Sequence, residues 1–151
     1  MKQFLLTLFC LLVLRLQATP IEWSEPVGQR FGLSLLEVLD SVLKEGVYHY
    51  AGSSGKPHTP DESVVVMFLD KSGEHSLDYT FTHDKCDLAM MTLPLAELDA
   101  VVQSYDRLFP SAGKQMWSTP YGRIKVSVAI GQESVRRDHK PHVSIFFDPN
   151  F

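Results

Sequence analysis

Apolar residues recur along this chain at three spacings, and each predicts a different element. The first is an almost unbroken run from Phe4 to Leu14, preceded by Lys2 and followed by the small residue Ala18 before Thr19-Pro20. The run is too short for a stable membrane anchor. A positive charge, an apolar core and a small residue in that order describe a secretory signal peptide, although Leu16 stands where a small residue is preferred. Residues 1–18 are therefore read as a signal peptide, and 19–151 as one globular domain that is secreted or periplasmic.

The second spacing is helical. Leu35, Leu36, Leu39, Val42 and Leu43 step by one, three and four residues, as one helix face does. Ser34 and Glu37 form a capping box at the start, Leu33 and Val38 can staple it, and Gly46 supplies a left-handed stop. Leu95, Leu98, Val102, Tyr105 and Phe109 form a second stripe, opened by Pro94 and ended by Pro110. Leu98, Val102 and Tyr105 are expected at its buried centre.

The third spacing is alternation. Val64 to Leu69 is continuously apolar and reads as a strand covered on both faces. After a turn at Asp70–Gly73, His75, Leu77, Tyr79 and Phe81 alternate with polar residues. Ile124, Val126, Val128 and Ile130 do the same, as do Val143, Ile145 and Phe147. Phe146 interrupts the polar side of that last strand and predicts either partial cover or a contact surface there. Val47–Tyr50 is a short strand, Ala51–Glu62 a Gly- and Pro-bearing loop, and Thr19–Gly32 an arm anchored by Trp23.

The elements follow in the order α-β-β-α-β-β. One-sided helices and hairpins make a two-layer α+β domain, with an antiparallel sheet of about four to five strands and two helices. The second set follows the first at a nearly constant offset, but slight identity between the halves does not require a duplication.

Charge narrows the partners. The chain carries a net charge of −4, and loss of Lys2 and Arg15 with the signal makes it more negative. An acidic balance disfavours nucleic acid and anionic membranes, and suits either solubility alone or a basic protein partner in the exported compartment. No second run approaches membrane-spanning length, so no stable membrane insertion is expected. Cys10 leaves with the signal. Cys86 remains alone, and the core must supply stability without an internal disulfide.

Three groups of residues bear chemistry. His83, Cys86 and Met90 bring imidazole, thiolate and thioether into one stretch, the soft donor set that suits Cu(I). His142 and Ser144 match one His-x-Ser strand of a two-histidine phosphoesterase. That chemistry needs a second such strand, and no other His is followed by x-Ser or x-Thr. The connection from Gly131 to Pro141 carries Arg136, Arg137 and His139, guanidinium and imidazole groups on a protruding segment, which suits recognition of a partner.

Familiar catalytic patterns fail. Gly52 to Lys56 lacks the spacing of a phosphate loop, Ser53-x-x-Lys56 lacks its companion motifs, and no Gly-x-Ser-x-Gly occurs. The expected function is a small exported binding or inhibitor protein, one that blocks a toxin or hydrolase in the same compartment and needs no cofactor. The alternatives are copper binding or delivery, and two-histidine phosphoesterase activity.

Overall fold

A computed structural model describes residues 30–55, 63–121, 124–135 and 140–149. Residues 1–18, read above as a signal peptide, and Trp23 lie outside these residues. Helix α1 (Leu35–Glu45) is followed by strands β1 (Tyr48–Gly55), β2 (Ser63–Asp70), β3 (Ser76–Thr82) and β4 (Lys85–Pro94). A single 3-10 turn, Leu95–Glu97, leads into α2 (Leu98–Leu108) and then β5 (Ser111–Gly113), β6 (Met116–Tyr121), β7 (Ile124–Val135) and β8 (Pro141–Asp148). All strand pairs are antiparallel and form one 8-stranded sheet, ordered β1-β2-β3-β4-β8-β7-β6-β5.

The α+β class and the two helices agree with the sequence reading, but the sheet has 8 strands and not four to five. Each helix is followed by four strands rather than two. The missing strands lack clean alternation. In β4 the register slips opposite Thr80 and Phe81, leaving Asp87 as an extra residue, so the apolar phase shifts within the strand. Its turn is made by His83 and Asp84, both at positive φ (51° and 57°), without the glycine that usually announces such a hairpin. β1 runs on through Ala51–Gly55, and β5 and β6 occupy what reads as a linker.

The anticipated hairpins do form. β2 pairs with β3 from Ser63–Thr82 to Leu69–Ser76, and β7 pairs with β8. Four strands follow each helix, and β4 and β8 meet at the centre of the sheet. Read outward from that pair, the strand order of the two halves is therefore the same.

Every strand residue of the core points to one face. Across the sheet, Phe68, Leu77, Met91, Ile145 and Ile130 form one row, and Val66, Tyr79, Ala89, Phe147, Val128 and Trp117 the next. Nearly all are buried. Both helices pack on this face. Arg30 joins Tyr79 of the sheet (2.9 Å) to Ser41 of α1 (3.1 Å) and also pairs with Glu45, while Tyr105 of α2 stacks edge-on against Trp117 at 5.3 Å. Trp117 Nε1 donates to Asp106 Oδ1 at 2.8 Å, which fixes α2 over the second half.

The helix caps follow the sequence. Ser34 and Glu37 form the capping box, and Gly46 adopts φ 70°. The buried faces are rotated from expectation. In α1, Val38 and Val42 are fully buried, whereas Leu36 is 75% exposed and Leu43 also faces outward. In α2, Val101 and Tyr105 take the corresponding fourth and eighth helical positions, with Leu98 and Val102 partly buried beside them. A face centred between positions four and eight leaves the flanking leucines at its edge.

Burial ranks the expected losses. Leu93→Ala, at a site with no exposure, should cost about 2–5 kcal/mol in urea unfolding, because it leaves a cavity in the core. Leu36→Ala should change stability by less than about 0.5 kcal/mol. Equal losses at the two positions would contradict the assigned faces.

Candidate functional site

The residues singled out from sequence fall in separate places. Arg136, Arg137 and His139 lie outside the described residues. Their surroundings are shorter than expected, because β7 continues to Val135 across a register shift between Ile130 and Glu133. Only 136–140 connect the strands. At the end of that connection, Lys140 Nζ donates to Glu74 Oε1 at 2.8 Å.

His83, Cys86 and Met90 belong to one hairpin but face different ways. His83 is exposed in the turn. Cys86 is buried on the helix-covered face opposite Phe81, and Met90 pairs with Asp78 and Phe146 on the other face. Burial, with the neighbouring Asp87 charge, pushes the Cys86 thiol up to about 12. Among the described residues, no group of three or more His, Cys, Asp or Glu is arranged to hold a metal ion.

His142 is fully buried at the start of β8, opposite Pro94. Its Nδ1 donates to the Lys140 carbonyl at 2.9 Å, leaving Nε2 as an acceptor with no partner among the described residues. Ser144 shares a 3.2 Å hydroxyl contact with Thr92 across the β4–β8 pair.

Two further features were not singled out from the sequence as sites. The first surrounds His75, whose Nδ1 lies 2.9 Å from Asp70 and whose Nε2 lies 3.0 Å from Glu97. The histidine clamps the β2–β3 turn to the 3-10 turn before α2. Burial disfavours its charge, but the hydrogen bonds and charges of Glu97 and Asp70 prevail and raise its pKa above 6.5. Asp70 responds in kind. Burial opposes its ionisation, yet bonds from Ser72 and His75 hold it below the usual carboxylate range. In sequence, Glu97 sits far from His75, and only the folded sheet reveals the cluster.

The second feature is the sheet face turned away from both helices. One row across it runs Met116, Ala129, Phe146, Met90, Asp78 and Met67. Met67 and Phe146 are exposed. Ala129 is a small residue between two large ones, Met116 and Phe146, and a groove of about 240 Å³ opens there, completed by Leu88, Ser127 and Asp148. Gly131 seats the aromatic wall, since a β-carbon there would come within 2.5 Å of the Phe146 ring. The apolar break at Phe146 was the sequence signal for this surface. Its floor and opposite wall emerge only from cross-strand register.

Two measurements probe these environments. Cys86 should react with a thiol reagent at least tenfold more slowly in the folded protein than in urea, since both access and thiolate are suppressed. Equal rates would place it at the surface. The clamp should also make stability depend on pH. A raised His75 pKa means that its contribution is complete below 6.5 and fades as pH rises through the folded value. A lowered Asp70 pKa means that its contribution is present above 3.8 and fades as pH falls below it. The stability gap between wild type and His75→Gln should therefore narrow from pH 6.5 upward. A gap constant with pH would mean His75 is not charged in the clamp.

Compared with known proteins, the chain matches no family model, no curated protein and no solved structure.

Proposed function

We propose that this chain is a small exported binding protein that engages a protein partner through the groove on the sheet face turned away from α1 and α2. An inhibitor of a toxin or hydrolase in the same compartment is the specific form of that reading. The observation that carries it is the Met116–Ala129–Phe146 row, with its aromatic wall exposed.

Magnitudes favour binding of side chains over binding of a whole small molecule. Small-molecule sites usually enclose about 300–1,000 Å³, and this groove holds about 240 Å³. It fits one or two apolar side chains. Each Å² of apolar surface withdrawn from water there contributes about 25 cal/mol, and methionine walls adapt their shape to what enters. Ser127 and Asp148 supply polar contacts at its border. Export rests on the Phe4–Leu14 run. Arg136, Arg137 and His139 sit on the connection at the opposite end of the β7–β8 hairpin from Ser127 and Asp148, so the two surfaces can be tested separately.

A photo-crosslinking residue at Ser127 should capture a discrete partner in the producing cells. Ala129→Leu, which fills the groove, should remove that adduct while shifting the melting temperature by no more than a few degrees. Adducts indifferent to Ala129→Leu, or formed only from a crosslinker at Arg137, would move the contact away from the groove.

A further inference from the structure

We infer that α1 carries a second interaction surface, independent of the groove, and that its occupant is a second copy of this chain in an antiparallel α1–α1 contact. The first observation is where the leucines fall. Val38 and Val42 seat α1 on the sheet, and this leaves Leu36 75%, Leu43 47% and Val47 55% exposed. Leu36 and Leu43 stand seven residues apart, two turns of helix, and so lie nearly in line on the side away from Val38 and Val42. Val47 follows directly after the Gly46 cap. Leu35 and Leu39, partly buried, carry the apolar surface from this stripe down to the core. Single exposed apolar residues are ordinary, whereas an aligned set marks a contact.

The second observation is charge, and it selects the occupant. Asp40 and Lys44 border the stripe, are both well exposed, and pair with each other one turn apart. The outward order along α1 is therefore Leu36, Asp40, Leu43, Lys44, Val47: apolar, acidic, apolar, basic, apolar. Turning a copy end for end reverses that order and sets acid against base. A twofold axis level with Val42 puts Asp40 at the height of the partner's Lys44, and Lys44 at the height of the partner's Asp40. It also brings the two Leu43 side chains together near the axis. An isologous contact makes each of these matches twice, whereas a parallel one would oppose like charges. The other acids at this helix are already held. Glu37 closes the capping box with Ser34, Glu45 pairs with Arg30, and Asp84 accepts from the Leu35 amide. Three turns of helix bury less than the roughly 1,200 Å² of a permanent interface, so the dimer is a reversible one. Apolar contact supplies its affinity, and the charge order fixes its direction. The groove opens on the opposite face of the sheet, so the contact leaves it free in both copies.

Sedimentation equilibrium of the full exported chain, from micromolar to millimolar concentration, tests the contact. The chain should pass from monomer to dimer over that range. Leu36→Ser with Leu43→Ser should weaken dimerisation at least tenfold, with a melting temperature within a few degrees of wild type. Asp40→Lys and Lys44→Asp should each weaken it several-fold alone, because each sets like charges level across the axis. An equimolar mixture of those two variants should associate more tightly than either alone, since every level then holds one acid and one base. That mixture leaves both leucines in place, so it decides the question even where the serine pair disturbs folding. Ala129→Leu, in the groove, should leave the dimer unchanged. A chain monomeric throughout, a dimer indifferent to the leucine pair, or a mixture no tighter than its components would each overturn the inference. So would a dimer lost on Ala129→Leu, which would move the contact to the groove.

Discussion

The pairing of β4 with β8 is the constraint on which the molecule depends. It runs from Ala89–Phe147 to Pro94–His142 and joins two units that are otherwise built from neighbouring hairpins. Side chains alternate with a period of two. A one-residue slip here would turn one unit's apolar face away from the other's. The observed register aligns Met91 with Ile145 and Ala89 with Phe147 on the helix side, and Thr92 with Ser144 on the other. That α1 and α2 share one face, and that the groove lies on the other, both follow from that single alignment.

Much of this was legible where local rules act alone. Ser34, Glu37 and Gly46 cap α1 as their chemistry requires, and strict alternation located β3, β7 and β8. The losses came where tertiary context overrides local pattern. Asp87 adds a residue to β4, so a continuous strand looks like a ligand-bearing loop. β1 carries Gly52, Ser53, Ser54 and Gly55 because it lies at the sheet edge, where no second neighbour demands apolar bulk. The helix stripes were found but misrotated, since leucine content does not tell which leucine meets the sheet.

Legibility of the groove was divided in the same way. Phe146 stood out as an apolar residue at a polar position. Ala129 and Met116 carried no signal of their own, because a floor and a wall are properties of strand neighbours and not of either strand. The soft-donor set illustrates the converse. His83, Cys86 and Met90 are close in sequence, yet the turn exposes one and the pleat sends the other two to opposite faces.

The seam also has a temporal consequence. Within each half, strands pair with the next strand in the chain, so those contacts are local and close early. β4 is different: its second neighbour, β8, is made only after α2 and β5–β7. While the chain emerges, β4 presents an open edge with Ala89, Met91 and Leu93 beside it, and that edge stays unpaired until residues 141–148 have been made. For a chain whose Phe4–Leu14 run reads as an export signal, the interval before β8 arrives is when a chaperone would find most to hold.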